Sequence, residues 1–78
     1  MTYNIWDNEL DTSGLLCPLP VLKTRKTLKG MEPGDVLKLH VDDPAGIVDI
    51  PHYCNETKNK ILKTEISGKN QVYFILKL

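Results

Sequence analysis

The sequence predicts an α+β fold, a two-layer α/β sandwich of order β-α-β-α-β-β with two helices packed on one face of a four-stranded mixed sheet. Three observations lead there. Val36–Val41 alternates, with Leu37, Leu39 and Val41 on one side and Val36, Lys38 and His40 on the other, which is strand periodicity. Pro18–Lys29 opens with prolines, carries good helix formers and stops at Gly30. Turn residues then punctuate the chain at regular intervals, with no repeat, linker or low-complexity tract between them. Taken in order, Asn8–Asp11 reads as a short strand with room to extend back to Trp6, closed by the Thr12-Ser13-Gly14 turn. The first helix follows, then the Pro33-Gly34 turn and the alternating strand. Asp43-Pro44 reads as an N-cap with proline at the first helical position, opening a second helix that runs to about Thr57. Pro51 lies inside it, so a kink is expected there, or an irregular first turn before a helix restarting near Asp49. Ile61–Ile66 is a third strand, Ser67–Asn70 a turn, and Gln71–Leu78 a fourth strand with Val72, Phe74, Leu76 and Leu78 facing one way.

With 78 residues the chain is expected to form one domain over 1–78, because a chain this short buries only roughly 60% of its unfolded surface. Ten Lys plus Arg balance ten Asp plus Glu. Zero net charge argues against a protein held on nucleic acid by bulk electrostatics. No apolar run is long enough to span a bilayer, and the first residues lack the basic start and apolar core of a signal peptide. A cytoplasmic location is the expectation. Two cysteines, Cys17 and Cys54, are too few for a disulfide scaffold and are expected to be thiols there. A chain of this size suits a carrier, a binding module, or a protein that offers one reactive group to larger partners.

The most informative segment is Gly14-Leu15-Leu16-Cys17-Pro18-Leu19-Pro20. If Pro18 is the first helical residue, Cys17 is the N-cap. Helix N-termini leave amides without intrahelical partners, and the dipole places partial positive charge there. Pro18 and Pro20 have no N–H, so the Leu19 amide is the chief donor left to point at the Cys17 sulfur. Both effects favour the nucleophilic thiolate. Gly14 lets the preceding loop turn tightly, and the two prolines stiffen it. The alternative is a small buried cysteine before a proline-started helix. On a helical wheel Val21, Thr24 and Leu28, with Met31 near the edge, form the expected core stripe. Leu19, Leu22, Lys23, Lys26 and Lys29 lie opposite, with Arg25 at the border. Two leucines among cations suit a docking surface for a partner protein, or a solvated basic face with stray leucines.

Leu10-Asp11, Gly14, Cys17-Pro18-Leu19-Pro20, Arg25-Lys26-Thr27, Met31 with Pro33-Gly34, Asp42-Asp43-Pro44-Ala45 and Asp49-Ile50-Pro51 together resemble the TusA/SirA-like sulfur carriers. The match runs in order from about Leu10 to the C-terminus, and its Cys-Pro-x-Pro element is specific in this context. Asp-Ile-Pro followed by Cys54 is nearest to the TusA branch. The resemblance implies the same β-α-β-α-β-β sandwich. It implies that Cys17, supported by Gly14, Pro18 and Pro20, accepts sulfane sulfur from a cysteine desulfurase as a persulfide. It implies onward transfer to a downstream relay protein, in the TusA branch toward 2-thiouridine at the tRNA wobble position. Related carriers serve other sulfur or selenium pathways. The chain itself takes no cofactor, since pyridoxal phosphate belongs to the desulfurase. It is expected to act as a monomer with transient heteromeric contacts and without binding tRNA or membrane. Leu22, Arg25 and the Asp42-Asp43 loop become candidates for partner contact, beside Leu19 and Lys26 of the basic face. Leu16 and Leu19 stand where relatives often carry charged residues, and Lys58-Asn59 replaces the pattern common after the second helix.

Other groupings carry less. Cys54 shares a helical stripe with Ile47, Ile50 and Pro51, the expected core face. A metal site from Cys17, His52 and Cys54 is disfavoured because residues two apart on a helix diverge by about 200°. His40 and His52 read as solvent-facing. Asp43 is explained by capping rather than as one of a carboxylate pair with Asp42. Tyr3, Trp6 and Tyr53 are too scattered for a base-stacking platform. Two competing classes therefore stand beside the carrier: an interaction or regulatory module with a structural Cys17, and a thiol-redox protein pairing Cys17 with Cys54.

Overall fold

Alternation does build the centre of the sheet. In the computed structural model, which describes residues 6–78, Val36–Val41 forms strand β2 and buries Leu37, Leu39 and Val41 almost completely. The other elements are β1 (Asn8–Asp11), α1 (Leu19–Lys29), α2 (Gly46–Thr57), β3 (Lys60–Ser67) and β4 (Asn70–Leu76). Strand order is β1-β2-β4-β3, with β1 parallel to β2 and the other pairs antiparallel. The parallel pair follows from α1, which carries the chain back before β2 begins. β3 and β4 are joined through Gly68, whose φ of +58° suits a two-residue hairpin. Both helices pack on one face, giving the mixed two-layer sandwich expected. No helix among the described residues is long and apolar enough to cross a membrane.

The core lies between the layers. It joins Leu28 from the end of α1 and Met31 just beyond it, Ile50 and Cys54 from α2, the β2 trio, and Tyr73 and Ile75 from β4. Each large apolar side chain buried this way contributes about 1.5–3 kcal/mol. α1 turns the predicted stripe inward, with Thr24 and Leu28 buried, Val21 partly buried, and Leu22, Lys23, Lys26 and Lys29 exposed. The Lys77 ammonium donates to the Leu28 carbonyl near the end of α1, where helices leave carbonyls unpaired.

β4 alternates as expected, but the set it turns toward the helices is Gln71, Tyr73 and Ile75. Val72, Phe74 and Leu76 lie on the opposite face, where Trp6 packs at 5.8 Å from the Phe74 ring and the Lys38 ammonium sits 4.2 Å from the Trp6 centroid. His40 is half-buried on that face, its Nε2 2.6 Å from a Glu9 carboxylate oxygen. Leu78 falls beyond the strand and is exposed. Tyr3 lies outside the described residues, so its part in the stacking question does too.

Two boundaries differ from the sequence reading. The helix predicted from Pro18 begins at Leu19, with Pro18 in the N-cap place and its carbonyl accepting from the Leu22 N–H at 3.1 Å. The helix predicted from Pro44 begins at Gly46, after a tight turn in which the Asp43 carbonyl accepts from Gly46 N–H at 2.9 Å. No restart occurs near Asp49; α2 runs as one helix from Gly46 through Pro51 to Thr57. Its buried line is Gly46, Ile50 and Cys54, one residue per turn. That phase leaves Ile47 and Pro51 exposed, against the expectation that they share the core face. The cause is Gly46: lacking a side chain, it lets the start of α2 approach β2 and β4 closely and so fixes which line faces the sheet.

Candidate functional site

The loop between β1 and α1 has few residues and no core of its own, so its shape depends on what receives its backbone donors. Thr12, fully buried, fastens its start: its N–H and Oγ1 both donate to the His40 carbonyl, at 2.9 and 2.6 Å. Gly14, at φ +83°, turns its N–H onto the Asp42 carboxylate, 3.0 Å from each oxygen. Three residues on, the Cys17 N–H donates to Asp43 Oδ2 at 2.7 Å. Leu19 N–H donates to the Leu16 carbonyl at 2.9 Å, closing a turn with Cys17 and Pro18 at its tip. The Cys17–Pro18 peptide is cis, and Cys17 is exposed.

This geometry corrects two expectations. Cys17 is not the N-cap of α1, and the Leu19 amide does not serve its sulfur, because that N–H is engaged by Leu16. Pro18 and Pro20 lack N–H groups, the Leu22 N–H goes to the Pro18 carbonyl, and no amide of α1 donates to the sulfur. Instead the sulfur shares a groove of about 320 Å³ with Pro18, Val21, Asp49, His52, Tyr53 and Glu56. Hydrogen bonding to the Asp49 carboxylate, then loss of solvent and the negative charges of Asp49 and Asp43, hold the Cys17 thiol above its ordinary pKa. The thiolate predicted from the helix dipole is therefore disfavoured at rest.

Asp42 and Asp43, taken from sequence as partner contacts, turn their carboxylates inward to the cysteine loop; Asp43 also accepts from the Ala45 N–H at 3.1 Å. Arg25, at the border of the two faces of α1 as expected from the wheel, is exposed and lines a neighbouring cleft with Tyr53 and Glu56. Leu22 and Lys26 remain exposed on the outer face. Pro18 and Leu19 are exposed beside Cys17, whereas Pro20 is buried and its carbonyl accepts from Thr24 Oγ1 at 2.7 Å. Exposed apolar side chains flank the groove in sequence on both sides: Leu16 and Leu19 by Cys17, and Ile47 and Val48 just before Asp49. Sequence reasoning gave no separate role to Asp49 or His52. His52 is exposed, as expected, and its Nε2 lies 2.9 Å from Glu56 Oε1. One signal for the groove was present: Asp49, His52 and Glu56 recur at helical spacing, and Asp49 opens the stripe.

Cys54 belongs to a different environment. It is buried in the core, which pushes its thiol up to about 11. At about pH 7.5 such a group is thiolate in about one molecule in several thousand. Native protein treated with a neutral alkylating reagent is therefore expected to be modified at Cys17 alone, with Cys54 labelled only after denaturation; peptide mapping reads the result. Equal labelling of both would contradict the burial of Cys54. Among the described residues, no group of three or more His, Cys, Asp and Glu side chains is placed to hold a metal ion.

The family model for the sulfurtransferase TusA matches residues 8–77 of this chain. The fold is similar to that of a SirA-like protein from Desulfitobacterium hafniense, with a TM-score of 0.76 over 90% of this chain and 96% of that one, at 21% identity.

Proposed function

The chain belongs to the TusA sulfurtransferase family, and from that premise we propose that Cys17 is its sulfur-bearing residue, loaded as a persulfide by a cysteine desulfurase. The observation that carries the reading is an exposed thiol at the tip of a turn whose amide is fastened to Asp43. An exposed, fixed sulfur is what transfer between two proteins needs, because both sulfurs must come into contact. Loading is attack by the Cys17 sulfur on the outer sulfur of the donor's persulfide. A new S–S bond forms at Cys17 and the donor's S–S bond breaks. The donor cysteine leaves as a thiolate and takes up the proton that Cys17 gives up, so nothing is oxidised or reduced overall. Unloading repeats the step, with an acceptor thiolate attacking the outer sulfur and Cys17 as the leaving group.

The downstream acceptor in this reading is a relay protein that serves 2-thiouridine formation at the tRNA wobble position, in the cytoplasm. Leu19, Leu22 and Lys26 on α1, with Arg25 at its edge, make the protein contacts. Asp42 and Asp43 act from beneath by holding the loop, and Gly14, Pro18 and Pro20 shape it.

The test is intact-mass analysis after incubation with a cysteine desulfurase, pyridoxal phosphate and cysteine. Wild type and Cys54→Ala are expected to gain one reducible sulfur atom, and Cys17→Ser none. A gain on Cys17→Ser equal to wild type would overturn the assignment.

A further inference from the structure

A glutamine on the core face of the central strand β4 is out of place among Tyr73 and Ile75, and no step of sulfur transfer uses it. Gln71 is 1% exposed. Its Nε2 donates to the Asp43 main-chain carbonyl at 2.8 Å. Its Oε1 accepts from the Tyr73 hydroxyl at 2.6 Å, and that hydroxyl also lies 3.2 Å from the Gly46 carbonyl. A phenol has one hydrogen, and the shorter contact takes it. The Asp43 carbonyl can only accept, so it takes the Nε2 end of the Gln71 amide and leaves Oε1 to the hydroxyl. Asp43 is thus gripped from two directions: β4 holds its carbonyl while its carboxylate holds the Cys17 N–H and the Ala45 N–H. No buried side-chain nitrogen or oxygen among the described residues is left without a partner. A fully satisfied buried network of this kind specifies one arrangement, where an apolar pair would fill the same space without fixing Asp43.

We infer that Gln71 and Tyr73 are positioning residues for the sulfur carrier site: the sheet holds Asp43, and Asp43 holds Cys17. The inference rests on Cys17 as the sulfur-bearing residue. The strut sets more than the loop's place. Asp43 is one of the carboxylates whose charge bears on the Cys17 thiol. The ionisable groups around the sulfur are Asp43 from the loop before α2 and Asp49, His52, Tyr53 and Glu56 from α2; α1 presents only Val21, and its N-cap Pro18, to the groove. With the strut cut, Asp43 keeps its bonds to the Cys17, Ala45 and Gly46 N–H groups but loses its tie to the sheet, so its carboxylate can draw away from the sulfur and the thiol moves back toward ordinary acidity.

The experiment compares Tyr73→Phe and Gln71→Leu with Ile75→Val, a packing change on the same face of the same strand. Three quantities are read on each protein: melting temperature, the pH profile of Cys17 alkylation by iodoacetamide, and the rate of loading by a cysteine desulfurase. Tyr73→Phe and Gln71→Leu are expected to move the alkylation profile to lower pH and to change loading several-fold. Ile75→Val is expected to melt earlier with both unchanged. In an Asp43→Asn background, Tyr73→Phe is expected to shift the profile no further, because the group it positions has lost its charge. The inference is overturned if Tyr73→Phe melts earlier with a wild-type profile and loading, or if Ile75→Val shifts the profile as much. If Gln71→Leu does not fold, the Tyr73→Phe pair with and without Asp43→Asn decides the matter. The alkylation profile needs no desulfurase, so a wild-type protein that fails to load counts against the carrier reading and leaves the strut to be judged on the profile.

Discussion

Gly46→Ala is expected to destabilise the protein by about 1–3 kcal/mol, the usual range for forcing atoms into a packed core. In an exposed helix interior the same change would stabilise by up to about 1 kcal/mol, since glycine is the poorer helix former. At Gly46 the sign reverses. A β-carbon there would stand 2.7 Å from Val41 Cγ1 and 2.8 Å from Gln71 Oε1. Neither neighbour can retreat cheaply. Val41 is a 1% exposed member of the β2 core, and Gln71 is committed at both ends of its amide. Relief requires α2 to lift from the sheet, which would loosen Ile50 and Cys54 on the same line. For a domain of this size the loss is expected to lower the melting temperature by about 4–8 °C per kcal/mol. Gly30→Ala is the matched control: its added β-carbon meets nothing nearer than the Thr27 carbonyl at 3.6 Å, at an ordinary φ of −86°. Thermal denaturation followed by circular dichroism should separate the two. A Gly46→Ala protein as stable as wild type would mean that α2 does not seat this closely on the sheet.

The same contact marks the limit of what the chain reveals before it is folded. The strands and the α1 stripe were legible because burial in them is set by local period: Leu37, Leu39 and Val41 alternate, and Thr24 and Leu28 lie one turn apart. The rotation of α2 was not, because Ile47, Ile50, Pro51 and Cys54 all fit an apolar stripe. What selects Gly46–Ile50–Cys54 is a glycine's clearance against strands distant in sequence. Asp43 shows a second limit. As a residue before proline at a helix start it reads as a local cap, whereas its shortest side-chain bond crosses to Cys17, 26 positions away. Gln71 carried no signal, because which face of β4 meets the helices is set by packing; once on the core face, a glutamine needs a buried partner. The identity of that partner lies in the fold alone. Cys17 itself stood out by motif, but its chemistry was misjudged in sign. The helix-dipole argument counted an amide that the preceding turn uses and left out a carboxylate that only the packing of α2 beside the loop supplies.

That reversal sets the second large effect, on the reactivity of the thiol. Asp49→Asn is expected to speed alkylation of Cys17 by iodoacetamide several-fold at neutral pH. Asp49 raises the thiol's pKa in two ways, accepting its hydrogen bond while it is protonated and repelling the charge once it ionises. Asparagine keeps the shape, removes the charge, and offers an N–H that can donate to the thiolate. The thiolate fraction at neutral pH therefore rises, and with it the rate, because the thiolate is the nucleophile. The pH dependence fixes the sign. Above both pKa values each protein is fully ionised, so the variant's advantage disappears at high pH, and the midpoint of its profile must lie at lower pH. A neutral reagent is essential, since a charged one would be steered by the same carboxylate. Asp35→Asn, on the turn before β2, is the control and is expected to leave the profile unmoved. Coincident profiles for wild type and Asp49→Asn would show that Asp49 does not govern the thiol, and the restraint would then fall to Asp43. A shift to lower pH would mean that Asp49 keeps the Cys17 thiol protonated in the isolated protein, so that under the proposed function its ionisation would fall to the encounter with a sulfur donor.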